Sequence, residues 1–159
     1  MYKYIRGVTM NITSTEAIDV IHAAFKRYET DPQPSSALEE TAQTVEHELK
    51  QGSKLYGIHD ETRLIAVVKC KLHTDYLYFS RLSVLPSYQG MGLAKRLLDY
   101  VELVARQHRL SNVTCKVRKS EQSNIELYAK RGYDIVAQEV IVNTNGDEVQ
   151  ALTMSKVLA

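Results

Sequence analysis

Val84-Leu85-Pro86-Ser87-Tyr88-Gln89-Gly90-Met91-Gly92-Leu93-Ala94 is the stretch on which the reading of this chain turns. An apolar, strand-like run (residues 76–84) leads into it. Out of it comes a helical pattern, with Leu93, Leu97, Val101, Val104 and Ala105 on one face and Lys95, Arg96, Asp99, Glu102 and Arg106 on the other. The first amides of a helix have no internal acceptor and carry the positive end of its dipole. Gly90 and Gly92 let the backbone approach an anion with no side chain in the way, and Lys95 and Arg96 add positive charge. The turn is a candidate cradle for a pyrophosphate; the plainer alternative is a tight strand-to-helix reversal. Two nucleotide motifs are excluded. A Walker A loop ends in Gly-Lys-Ser/Thr, and Gly92-Leu93-Ala94 does not. A dinucleotide fingerprint needs a third glycine where Lys95 stands.

Upstream, residues 2–8 alternate as a short strand. Thr13-Ser14-Thr15-Glu16 has capping-box form, and Ala17, Ile18, Ile21, Ala24, Phe25 and Tyr28 follow at helical spacing. Asp31-Pro32-Gln33-Pro34 stops that helix, and a second capping box, Ser36-Ala37-Leu38-Glu39, opens another along Leu38, Ala42, Val45 and Leu49. Residues 54–59, 64–72 and 76–84 read as strands with short polar breaks, which favours antiparallel neighbours. Downstream, residues 113–117 are a strand. Ser123-Asn124-Ile125-Glu126 is a third capping-box candidate, at or inside a short helix that Gly132 ends. Residues 133–142 and 148–157 form a hairpin across Asn145-Gly146. The order β-α-α-β-β-β-α-β-α-β-β, with no linker or repeat, predicts one α/β (α+β) domain over residues 1–159, with a mixed, mostly antiparallel sheet.

Bulk properties narrow the function. A chain of 159 residues, 44% hydrophobic and 25% charged, is ordinary for a globular protein. A formal net charge of +1 gives no global case for nucleic acid or an anionic membrane. Cys70 and Cys115 sit in apolar strand runs and read as core thiols rather than a disulfide. The first residues lack a signal-like apolar stretch and no window approaches a membrane span, so the expected location is the cytoplasm. No histidine has metal-ligand spacing with another, so no metal is expected. His22 and His47 fall on helices as solvated residues, while His59 and His73 end strands and are candidates for an acceptor pocket.

Gln89-x-x-Gly92-x-Ala94 resembles the (Gln/Arg)-x-x-Gly-x-(Gly/Ala) motif of the GNAT superfamily of N-acetyltransferases, and Leu82-Ser83-Val84-Leu85-Pro86 resembles the strand that enters it. Leu127-Tyr128 ahead of Gly132-Tyr133 is similar to the family's later segment, and the element order agrees. The resemblance covers residues 54–157; the first fifty agree only in element type.

The resemblance implies acetyl-CoA as co-substrate and transfer of its acetyl group to a primary amine by direct attack in a ternary complex. It implies that the backbone of Gln89, Gly90, Met91, Gly92, Leu93, Ala94 and Lys95 binds the pyrophosphate. It further implies that Leu82, Ser83 and Val84 pair with the pantetheine arm along a strand splayed from residues 113–117. Tyr128 would be the general acid for the departing thiolate, since a phenol, with a reference pKa of about 10, is protonated at neutral pH. Tyr133 reads as packing. Where many relatives carry a coenzyme-contacting Asn, seven residues before that tyrosine, this chain has Glu121; Asn124 is the nearer candidate, as coenzyme contact or as helix cap. The strand before the motif holds no carboxylate, and Asp75 at its start is the candidate base. Phe25, Tyr28 and Tyr76, with Glu29 and Asp31, are candidates for the acceptor site, since rings beside an acid suit a cationic amine. A small-molecule amine is the expected acceptor, with a protein amine as an alternative, and a homodimer fits the resemblance. The competing reading is a non-catalytic acyl-CoA-binding regulatory or sensor module. Lys116-Val117-Arg118-Lys119 reads as attracting the coenzyme's phosphates rather than nucleic acid.

Overall fold

The computed structural model describes residues 4–26, 35–143 and 146–159. Its elements are β1 Ile5–Thr9, α1 Ser14–Phe25, α2 Ala42–Lys50, β2 Lys54–Asp60, β3 Arg63–Leu72, β4 Tyr76–Val84, α3 Leu93–Gln107, β5 Asn112–Arg118, α4 Gln122–Lys130, β6 Asp134–Val142 and β7 Glu148–Val157. This is the order that the sequence pattern implies.

Local chemistry sets the ends. Thr13 caps α1 in a reciprocal box with Glu16, as its spacing requires. The Ser36 box is a different case. Ser36–Glu39 makes a single 3₁₀ turn capped by Ser35, and α2 starts later, where Thr41 and Thr44 cap each other. Ser123 is no cap either: α4 begins one residue before it, with Glu121 at the N-cap. Gly132, at φ 93°, closes α4, and Tyr133 N–H returns to Tyr128 O at 3.0 Å, bonding back across the last turn.

The seven strands form one sheet in the order β1-β2-β3-β4-β5-β7-β6. Residues 64–70 of β3 are buried without a break rather than alternately. Both α1 and α3 lie against β3 and β4, so each side of the strand is covered. The α3 stripe of Leu93, Leu97, Val101, Val104 and Ala105 is buried as its spacing predicts, together with Leu98. Glu102, which the helical pattern sets on the polar face, is 3% exposed. It accepts from Tyr133 Oη at 3.1 Å and from Lys156 Nζ at 2.8 Å, so its charge is compensated where it is buried. Cys70 and Cys115 are buried free thiols, and burial pushes the Cys115 thiol up to about 12.

Two irregularities shape the middle of the sheet. β4 and β5 run parallel, but only Tyr76, Leu77 and Tyr78 face Asn112, Val113 and Thr114; beyond that point the strands separate. On its other side β4 carries a bulge against β3, where three steps from Ser80 to Ser83 match two from Lys69 to Val67. Arg81 sits in the bulge at φ 56°, a left-handed conformation that costs a non-glycine residue about 1 kcal/mol or more.

Leu97 is fully buried on the face of α3 that meets the sheet. Leu97→Ala should cost about 2–5 kcal/mol. Urea unfolding would read this as a lower midpoint with an unchanged slope; an unchanged midpoint would remove Leu97 from the core.

Candidate active site

Two neighbouring cavities, here the two lobes of the site, lie beside β4 and share Phe25, Leu82 and Asn124 as lining residues. The first lobe, about 330 Å³, is walled by Val84, Gln89, Gly90 and the start of α3 on one side and by Ser123 and Leu127 on the other. The second, about 350 Å³, holds Tyr128 with Tyr78, Phe79 and Arg81 of β4 and Lys116 and Arg118 of β5.

The first lobe owes its shape to the turn. Pro86 starts a 3₁₀ turn, Pro86–Tyr88, whose entry is pinned by Leu85 N–H on Ile65 O at 2.9 Å. The Gln89 side-chain amide donates back to Val84 O at 3.2 Å, which closes the loop on itself and accounts for an amide side chain there. Gly90 and Gly92 stand at φ 82° and 79° with nothing within 4 Å of where a Cβ would sit, so the space before them is open. Gly92 is the N-cap of α3 with no side-chain cap, and the first internal bond is Arg96 N–H to Gly92 O at 3.0 Å. The amides of Leu93, Ala94 and Lys95 therefore lack helical acceptors where these residues line the lobe. Lys95 lines it too; Arg96 instead donates to Arg6 O at 2.8 Å and is committed to β1. Met91 packs back on the core. Ser83 is buried, its hydroxyl donating to Arg81 O at 2.9 Å.

In the second lobe Tyr128 is 6% exposed. Phe79 meets it edge-on with ring centres 5.5 Å apart, and Tyr133 lies 6.1 Å away. Tyr133, fixed by Glu102, serves as packing behind Tyr128.

The floor of this lobe is an ionic cluster that the sequence pattern did not yield. Glu40, next to the 3₁₀ turn, accepts from Lys69 Nζ at 2.9 Å and from Arg81 Nε at 2.6 Å; Lys69 also reaches Glu48 at 2.8 Å. Burial opposes ionisation of Glu40, yet the Arg81 and Lys69 charges and their hydrogen bonds hold its carboxyl below the usual range. The available signal was Lys69 itself. A lysine inside Val67-Val68-Lys69-Cys70, in a strand covered on both faces, requires a counter-charge.

The structure brings Phe25, Leu82, Val84, Asn124 and Tyr128 together with the turn. It does not bring Asp75 or Tyr76 to the cleft. Both stand at the closed end of β4, where Asp75 is exposed and Tyr76 stacks on His73 at 4.5 Å. Tyr28, Glu29 and Asp31 lie outside the described residues. His59 pairs with Glu16 at 3.1 Å in another hollow. His22, expected in solvent, bonds Glu40 O at 2.7 Å. Lys116 is tied to Glu139 at 2.8 Å, and that hydrogen bond raises its pKa. Among the described residues no cluster of three or more His, Cys, Asp or Glu is placed to hold a metal ion.

The acetyltransferase (GNAT) family model matches residues 18–133. No curated protein matches the sequence. Among solved structures, the ribosomal-protein-S18-alanine N-acetyltransferase of Escherichia coli is similar, at TM-score 0.75 and 17% identity over 98% of this chain and 94% of that one. So is PaiA N-acetyltransferase of Thermoplasma acidophilum, in complex with coenzyme A, at TM-score 0.76 and 14% identity over 97% and 99%. A GNAT family acetyltransferase of Elizabethkingia anophelis with acetyl-CoA bound follows, at TM-score 0.71 and 15% identity over 98% and 99%.

Because the folded Glu40 carboxyl ionises at lower pH than an unfolded glutamate, its contribution to stability is complete above the unfolded value of about 4.3 and is lost as pH falls through the folded one. The melting temperature should therefore drop on acidification below about pH 5. Glu40→Gln should melt lower at pH 7 and lose less on acidification; an identical acid slope in the variant would show that Glu40 is not part of that loss.

Proposed function

The chain belongs to the acetyltransferase (GNAT) family, and from that premise we propose that it moves an acetyl group from acetyl-CoA to a primary amine. The observation that carries this reading is the adjacency of two pockets. An uncapped helix N-terminus framed by two left-handed glycines lines one, Tyr128 lines the other, and Phe25, Leu82 and Asn124 line both. The residues fit the coenzyme. Bare amides at Leu93–Lys95 with the Lys95 charge suit a diphosphate, and the edge of β4 facing the gap suits the amides of a pantetheine arm.

When bound, acetyl-CoA supplies an acyl carbon activated as a thioester, open to attack by a neutral amine. The turn residues bind and orient it, and Phe25, Leu82 and Asn124 flank its path between the lobes. As the amine's C–N bond forms and the C–S bond breaks, Tyr128 gives its hydroxyl proton to the departing sulfur. The amine also sheds a proton. Glu40, Glu48 and Glu121 are the carboxylates lining the second lobe among the described residues. Glu40 is held by Lys69 and Arg81, Glu48 by Lys69, and Glu121 accepts from Arg118 N–H at 3.3 Å; Glu48, the more exposed member of the Lys69 cluster, is the candidate to receive it. A lobe of about 350 Å³ has the dimensions of a small-molecule site, which favours a small amine over a protein amine.

Two measurements test the reading. Calorimetry should register coenzyme A binding, with Gly92→Val weakening it; no heat from the unaltered protein would overturn the assignment. Acetyl-CoA should release free thiol with a member of an amine panel that spans small metabolites and peptide N-termini. Tyr128→Phe should slow that release by about 100-fold or more while coenzyme affinity holds. Equal rates would remove Tyr128 from the chemistry, and coenzyme binding without any turnover would make the chain a non-catalytic acyl-CoA-binding module.

A further inference from the structure

Glu48, Lys69, Glu40 and Arg81 form an open chain of alternating charge. Lys69 Nζ stands 2.8 Å from Glu48 and 2.9 Å from Glu40, and the second oxygen of Glu40 takes Arg81 Nε at 2.6 Å. The two middle members are buried and neutralise each other. The two ends are unlike in sign and more open, the Glu48 side chain at 36% exposure and that of Arg81 at 24%. All four residues line the lobe that holds Tyr128. A row of charges that ends in a carboxylate on one side and a guanidinium on the other is complementary to a molecule carrying both signs.

The positive end has donors left over. Arg81 gives Nε to Glu40 and one Nη to Ser36 Oγ at 3.3 Å; its other Nη has no acceptor among the described residues. Tyr78 lines the same lobe, half-buried, and its hydroxyl bonds none of the described residues. Burial holds that phenol above its usual range, with the charges of Lys116 and Arg81 acting on it from nearby, so at neutral pH it is a protonated donor among cations. The carboxylates around it are engaged elsewhere: Glu121 accepts from Arg118 N–H at 3.3 Å, and Glu139 is held by Lys116 at 2.8 Å. Arg81 stands at φ 56°, and strain of this kind persists where the surroundings over-determine it, as at ligand clamps. A planar guanidinium edge matches a planar carboxylate. A doubly charged phosphate would be repelled by Glu40 on the neighbouring edge.

Resting on the acyl-transfer reading of this lobe, we propose that the acceptor is an amino acid or a similar small zwitterion, its carboxylate held by Arg81 and Tyr78 and its amine directed toward Glu48. Arg81 and Tyr78 are then specificity-determining residues, because a site built to bond a substrate group discriminates against the analogue that lacks it.

Ligand-detected NMR tests this without turnover. The full chain, with and without coenzyme A, is titrated with matched pairs: phenylalanine and phenethylamine, lysine and cadaverine, β-alanine and ethylamine. In at least one pair the acid should bind about tenfold or more tightly than its amine. Arg81→Gln should abolish the preference. Tyr78→Phe, which removes one oxygen and leaves the β4 bulge alone, should reduce it about threefold and decides the matter if Arg81→Gln fails to fold. Equal affinity within every pair, no binding by any member, or a preference that Tyr78→Phe leaves intact overturns the proposal. A preference that both variants remove, in a protein that releases no thiol from acetyl-CoA, would instead sink the transfer reading and leave the carboxylate site standing.

Discussion

Beyond Tyr78 and Thr114, two neighbouring strands in the middle of a sheet stop exchanging hydrogen bonds. A buried backbone N–H or C=O left without a partner costs about 1–3 kcal/mol, so the gap persists only because other forces hold the strands apart. Arg81 holds one side. The bulge turns the backbone of β4, and the guanidinium is fixed by Glu40, whose second oxygen is fixed by Lys69. The wedge of Phe79, Tyr128 and Tyr133 fills the other face of the opening. Strain in the backbone, a buried ion cluster and an aromatic wedge are thus parts of one arrangement, whose product is a strand edge with free amides inside the protein.

The ionic cluster has a second role. Glu40 follows the 3₁₀ turn, Glu48 lies on α2, and Lys69 and Arg81 belong to β3 and β4. A buried ion pair adds little net stability over an apolar pair of the same size. It does fix geometry, because each charge tolerates burial only where its partner stands. The α2 region is therefore located on the sheet by charge matching, next to the lobe where an acceptor would enter.

Features governed by local chemistry were legible in the sequence. The Thr13 box, the Gly132 closure, the buried stripe of α3 and the glycine turn each depend on a few adjacent residues. The order of elements along the chain and the glycine turn between β4 and α3 therefore followed from spacing and resemblance. Features that depend on residues far apart were not legible. Whether Ser36 or Thr41 begins a helix depends on what packs against that segment, and Glu102 on the polar side of α3 is buried only because Tyr133 and Lys156 arrive from other elements. Tyr76 opens β4 and Asp75 stands in the bend before it, both at the closed end, because alternation gives a strand's existence and not the point where its neighbour leaves it. Glu40 lies some thirty positions from its cation on β3, beyond any periodicity, and only the lone lysine inside an apolar run hinted at it.

The parallel seam between β4 and β5 is also the join between two half-sheets, β1 to β4 on one side and β5, β7 and β6 on the other. Outside its short paired end, the join relies on helix packing: α3 rests on β4 and β5 alike. The molecule is built like a clothes-peg, with a pivot at Leu77 and Val113 and jaws at the mouth of the cleft. The three paired residues on each strand, Tyr76 to Tyr78 and Asn112 to Thr114, are thus the stretch where backbone hydrogen bonds tie one half-sheet to the other.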